Sequence, residues 1–135
     1  KLKYPPLALS VASYETINMD FIVNKTIEII NLVASLPKEY VGKVINVNFP
    51  DLPEKECKGM KVTALAQRGI PSKPIEISST DNIKKYRYNL SGKPIQEEHL
   101  TDALAIQDGY ISMTVLDYGL DQTPLREGLK NYINE

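Results

Sequence analysis

A chain of 135 residues with 42% hydrophobic and 24% charged side chains can bury one core and has the make-up of an ordinary globular domain. Its 16 basic and 17 acidic side chains give a formal net charge of −1, so no surplus positive field exists to draw in nucleic acid. Cys57 is the only cysteine and His99 the only histidine. That excludes an internal disulfide and a Cys/His zinc site built within the chain, and it favours a reducing compartment, the cytoplasm.

KLKYPPLALSVAS runs almost directly into a continuous apolar stretch, which predicts a strand over roughly residues 5 to 12, buried on both faces of a parallel sheet. Next, Asp20, Asn24, Glu28, Asn31 and Ser35 recur at helical spacing, with Ile22, Thr26, Ile29, Ile30, Val33 and Leu36 on the opposite side. This is an amphipathic helix closed by Pro37. The tract IEIINLVASL inside it carries Glu28 and Asn31 and is far too short to cross a bilayer; neither a membrane span nor an export leader is expected.

VINVNF alternates Val47 and Phe49 against Asn46 and Asn48, a strand of period two ended by Pro50. Strand, helix, strand is the βαβ grammar of α/β sheets. After the charged loop DLPEKECKG, the pattern GMKVTALA places Met60, Val62 and Ala64 on one face of a third strand.

Residues 71 to 99 are polar and turn-rich. PIEISS and IKKYRYNL read as two strands joined through Asp81 and Asn82, followed by a turn from Ser91 to Pro94. A ribbon with so little aliphatic backing is marginal alone. Tyr86 and Tyr88 on one of its sides favour a subunit-contact role.

In TDALAIQDGYISMTVL, Thr101 is a helix-entry signal, Gly109 a helix-exit signal, and Ile111, Met113 and Val115 alternate with Ser112 and Thr114 as in a half-buried strand. Finally, Thr123 can cap and Pro124 can open a terminal helix whose stripe of Leu125, Leu129, Tyr132 and Ile133 needs a surface to dock on.

Chemistry is sparse along this path. No glycine-rich phosphate cradle is present. His99, beside Glu97 and Glu98, reads as an incidental surface residue, and nothing near Cys57 supplies a catalytic set. The candidate carboxylate pairs are Asp102 with Asp108 and Asp117 with Asp121; each has a structural explanation, in a helix turn or in the turn before the last helix. Read from residues alone, the chain is an α/β fragment with a hairpin and a terminal helix, and it displays no complete active site.

Three stretches carry a resemblance. PPLALS at 5 to 10, VINVNFPDLP followed by KGMKVT at 44 to 63 with Arg68 soon after, and TDALAIQDGYISMTVL resemble, in order and spacing, the C-terminal part of the SurE family. These survival proteins are metal-dependent nucleoside 5′-monophosphate phosphatases. The matching positions are Asn46, Asn48, Pro50, Gly59, Thr63, Arg68, Thr101, Asp102, Gly109, Tyr110, Ser112 and Thr114, and the resemblance implies structural roles for them. The chain departs from the family pattern at Leu100, Val115, Ala66 and Gly119.

The resemblance implies an α/β class, part of a Rossmann-like three-layer fold, with residues 1–70 an α/β sheet segment, 71–99 a protruding hairpin and 100–135 a short helix, a strand and a terminal helix. Hairpin and terminal helix would exchange contacts between subunits of a homodimer or tetramer, through Tyr86, Tyr88, Leu125, Leu129, Tyr132 and Ile133. The family's metal site uses paired aspartates, a serine and an asparagine upstream of PPLALS, and no position here matches them. A nucleoside monophosphate or other phosphomonoester would be the substrate and Mg²⁺ or Mn²⁺ the cofactor of the full-length protein. The chain alone would bind no metal and be inactive. Two alternatives stand beside this: a non-catalytic oligomerisation or binding module, and a small independent hydrolase using Asp102, Asp108, Asp117 or Asp121.

Overall fold

In the computed structural model, residues 3–80, 83–88, 92–95 and 97–117 are described. The expected terminal helix with Leu125, Leu129, Tyr132 and Ile133, the turn at Asp81 and Asn82, and Ser91, Gly119 and Asp121 lie outside them.

Leu7–Val11 forms β1, Met19–Ala34 forms α1 and Val44–Phe49 forms β2. β1 and β2 pair in parallel, Leu7 opposite Ile45 and Val11 opposite Phe49, so the βαβ reading holds. Met60–Val62 is β3, Ile75–Thr80 is β4, Ile83–Arg87 is β5, Asp102–Gln107 is α2 and Ile111–Leu116 is β6. The main sheet has the order β1-β2-β6-β3, with β6 antiparallel to β2 and parallel to β3. One end of the sheet therefore collects the carboxyl ends of β1 and β2 together with the amino ends of β6 and β3.

The strict alternation of β2 divides the two faces. Ile45, Val47 and Phe49 are buried against Ile22, Ile29 and Val33 of α1, with Ile111 closing the cluster. Asn46 and Asn48 face the other way, as do their cross-strand partners Thr114 and Ser112. That second face is polar yet covered by α2, which packs on β6 and β2. It is tolerable because its groups satisfy one another: Asn48 Nδ2 donates to Ser112 Oγ at 3.2 Å, and the Thr63 and Thr114 hydroxyls share a hydrogen bond of 2.7 Å.

Three expectations need correction. β1 is not buried on both faces: its middle residues are exposed, because it stands at an edge of the sheet with β2 as its partner. The third strand is shorter than expected: β3 is only three residues long, so Ala64 falls beyond it, and it occupies the opposite edge and leaves Val62 78% exposed. In β6 the alternation does not separate inside from outside. Ser112 and Thr114 are buried and Val115 is exposed, since the strand is central and its polar side chains lie under α2.

Helix α1 buries Ile22, Ile29 and Val33, as its pattern predicts, and ends at Ala34 with Ser35 as C-cap, shortly before Pro37. Ile30, expected on the core side, is half exposed and joins Met19, Val23 and Ile27 in a second apolar stripe along the helix.

The hairpin forms where it was expected, as an antiparallel ribbon of β4 and β5 with a register shift between Glu76 and Ser78. Every residue of both strands is exposed. Two features fix its base to the body: Gly69 N donates to Lys93 O at 3.0 Å and Ile95 N donates to Gln67 O at 2.9 Å. The approach is close enough to require glycine at 92, where a Cβ would lie 2.5 Å from the Gly69 carbonyl oxygen.

Candidate functional site

Ligands of open α/β sheets sit outside the carboxyl ends of the parallel strands. Here that end carries a cleft of about 490 Å³ between the end of β1 and the flank of α2. Its polar lining comes from Ser10 of β1, Asn48 of β2, Arg68, and Asp102 and Gln107 at the two ends of α2 and is backed by apolar wall from Val11, Pro94 and Ile106. The size is that of a small-molecule site.

Each polar group is positioned by a local rule. Thr101 is fully buried, extended, and caps α2 by accepting from Leu104 N at 3.4 Å. Asp102, the next residue, does more than favour the helix dipole: its Oδ1 accepts from Ala66 N and Ala103 N, each at 2.8 Å, which ties the segment that follows β3 to the start of α2. That segment is further held by Ala64 N donating to Leu100 O and Asp102 N donating to Ala64 O. Two residues beyond Ala66, Arg68 forms an antiparallel bridge with Pro94, so the base of the hairpin is also a wall of the cleft.

The remaining motif positions surround this site without lining it. Pro50 is buried at the end of β2, and Gly59 takes φ of 103° just before β3, its carbonyl accepting from Ile111 N at 2.9 Å. Gly109 takes φ of 86° at the exit of α2, as its place in the sequence predicts. The Tyr110 ring lies under two ammonium groups, Lys58 at 5.7 Å and Lys61 at 5.2 Å. Of the candidate contact residues, Tyr86 donates its hydroxyl to Glu76 Oε2 at 3.2 Å, and Tyr88 is 82% exposed.

Of the two carboxylate pairs only Asp102 with Asp108 lies wholly within the described residues, and it is not assembled. Asp102 opens α2 and Asp108 closes it, about 9 Å apart by helix rise, too far to share one ion. Asp117 pairs with Lys43. His99 is met by Glu97 at 3.2 Å on the surface. Among the described residues no three His, Cys, Asp or Glu side chains come together. The described residues therefore do not make a divalent-ion site.

Sequence reasoning missed one clamp at the same end of the sheet. Asn18 precedes α1, where it would be expected to cap, but its side chain caps nothing and donates from Nδ2 to Asp51 Oδ1 at 2.9 Å. This bond joins the β1–α1 loop to the loop after β2. The Asn18 amide, then the Ser13 hydroxyl and the Asn18 and Ile17 backbone, hold the Asp51 carboxyl below its ordinary range against the opposing effect of burial. A depressed folded pKa contributes stability above the unfolded value and loses it as pH falls through the folded one. Asp51→Asn should therefore lower the thermal midpoint at neutral pH, and the gap from the native chain should close below about pH 4. Melting curves of both chains between neutral and acid pH check this; a gap independent of pH would remove the carboxylate's role.

The comparisons with known proteins converge. Residues 1–72 match the model of the family described as survival protein SurE. The chain is 30% identical over 133 residues to a protein named 5′-nucleotidase SurE from Desulfitobacterium hafniense, covering 98% of this chain and 47% of that one. It is 35% identical over 96 residues to the 5′-nucleotidase SurE of Alkaliphilus metalliredigens, covering 70% of this chain and 37% of that one. Among solved structures, the SurE protein from Aquifex aeolicus superposes with a TM-score of 0.72 at 28% identity, over 97% of this chain and 52% of that one. The chain thus spans about half the length of the curated relatives it matches. The family model matches more than half of the chain, and the relatives and the superposed fold agree with it: this chain belongs to the SurE family.

Proposed function

We propose that this chain is the C-terminal portion of a metal-dependent nucleoside 5′-monophosphate phosphatase and that it supplies one wall of the substrate site. The observation that carries the proposal is the cleft at the carboxyl ends of β1 and β2, with Ser10, Asn48, Arg68 and Asp102 on its lining. The names of the relatives give the reaction class, hydrolysis of a phosphomonoester. A divalent ion, Mg²⁺ or Mn²⁺, would be held by the portion of the family's length that this chain does not span; when bound it would polarise the phosphoryl oxygens and activate water. In this reading the protein works in the cytoplasm, which suits a single free thiol at Cys57.

The same proposal includes a homodimer or tetramer. Ile75 and Ile83 lie exposed on one face of the ribbon and Tyr86 on the other, apolar surface on both sides that a second subunit would cover. An assembly module without chemistry would use the same surface, and one experiment separates the two. Hydrolysis of p-nitrophenyl phosphate with added Mg²⁺ or Mn²⁺ is measured for the 135-residue chain and for the protein extended through its upstream coding sequence. Activity is expected only in the longer protein. Activity in the short chain would return the catalytic role to its own aspartates, and inactivity of both would leave the assembly module.

A further inference from the structure

Among the described residues, Arg68 is the only cation and Asp102 the only anion on the lining of the cleft. None of the ion pairs among the described residues uses the Arg68 side chain. The nearest acid in sequence on the adjoining segment, Glu97, is already engaged, accepting from Gln67 N at 3.2 Å and meeting His99. Arg68 is nonetheless not placed at random. Its backbone is gripped by the ladder that joins Gln67–Gly69 to Lys93–Ile95, with Gly92 allowing the close approach. An exposed arginine whose main chain is pinned on both sides while its guanidinium pairs with no carboxylate of the described residues is poised for a ligand.

The balance of charge says which part of a ligand. A phosphate group alone calls for a surplus of cations, and the described lining of this cleft has none: it sets one guanidinium against one carboxylate. Asp102 uses Oδ1 for two backbone amides, and its Oδ2 accepts no hydrogen bond from the described residues. Val11, Pro94 and Ile106 add apolar wall, and Asn48 and Gln107 add amides. A planar guanidinium, a carboxylate oxygen, amides and apolar wall together suit an uncharged, flat, hydrogen-bonding group carrying hydroxyls, which is the chemistry of a nucleoside.

We infer that Arg68 and Asp102 bind the nucleoside half of the substrate, Arg68 through the base and Asp102 through a ribose hydroxyl. This rests on the phosphatase reading above and assigns to residues of this chain the discrimination between nucleotides and simple phosphate esters. Since Arg68 is fixed by the hairpin base, substrate recognition is joined to the element proposed to contact other subunits.

The test uses the longer protein, with adenosine monophosphate and p-nitrophenyl phosphate as paired substrates. Arg68→Ala should raise KM for the nucleotide roughly ten- to a hundredfold and leave KM for p-nitrophenyl phosphate within about twofold. Arg68→Lys should recover little of the loss, because lysine keeps the charge but not the planar fork. An equal rise for both esters, which would place Arg68 on the phosphate, overturns the inference, and so does no change for either. A native protein that cleaves neither ester would end the phosphatase reading by itself. Calorimetric titration with adenosine then decides the role of Arg68 separately: binding weakened in Arg68→Ala supports it, and equal or absent binding in both proteins overturns it.

Discussion

Replacing Phe49 with alanine is expected to cost about 3–5 kcal/mol of folding stability, against a total of roughly 5–15 kcal/mol for a domain. Phe49 is fully buried at the end of β2, in the cluster with Ile22, Ile29, Val33, Ile45, Val47 and Ile111. Its backbone carbonyl also accepts from Ala12 N at 2.9 Å, so the ring sits where β1 leaves the sheet toward the site. Truncation removes transfer free energy and leaves a cavity between strand and helix that neither can fill without moving. A lowered denaturation midpoint with an unchanged denaturant slope in urea measures the loss; a midpoint shift worth under about 1 kcal/mol would show that the cluster does not hold the sheet to α1.

The second large effect is expected at Asp102. Removing its carboxylate by Asp102→Ala takes away the acceptor for Ala66 N and Ala103 N together. Hydrogen bonds to a charged group are worth about 1.5–3 kcal/mol each when buried, so a half-buried pair should cost about 2–3 kcal/mol. The damage would be directional. It would free the segment that follows β3 from the start of α2, and with it the presentation of Arg68. Asp102→Asn keeps one oxygen in place and should retain more than half of the stability. Urea melts of the two variants side by side give the comparison; equal losses would mean that charge alone, and not the acceptor geometry, joins the two segments.

The sheet and its first crossover were legible because β2 and α1 are governed by one rule each. Val47 and Phe49 alternate with Asn46 and Asn48 because one face meets α1, and Ile22, Ile29 and Val33 recur at helical spacing for the same reason. β1 and β6 were misread in opposite senses. A continuous apolar run predicts burial on both sides, but whether neighbours exist is a property of sheet order, and β1 stands at an edge. In β6 the polar residues look solvent-facing until Asn48 of β2 and Thr63, just beyond β3, are seen to satisfy them. The cleft was harder still. Ser10, Asn48, Arg68 and Asp102 are spread over most of the chain and carry no spacing that announces a shared lining. Asp102 was visible as a helix-start residue, whereas its bond to Ala66 depends on where β3 ends. The link from Asn18 to Asp51 spans two loops, and no local pattern encodes it.

The ribbon of β4 and β5 has a consequence for how the molecule breathes. Its residues are exposed throughout, and the acid that braces it from within, Glu76, is met by Lys84 and by the Tyr86 hydroxyl on the surface. Opening it therefore breaks its own ladder and little else, so its amides should trade hydrogen for deuterium through small local fluctuations, while those of Val47 and Ile111 wait for the whole sheet to come apart. The pinned segments at Gln67–Gly69 and Lys93–Ile95 mark the boundary between those two regimes. Arg68 lies on that boundary, at the joint between the part of the molecule that keeps its shape and the part that is free to change it.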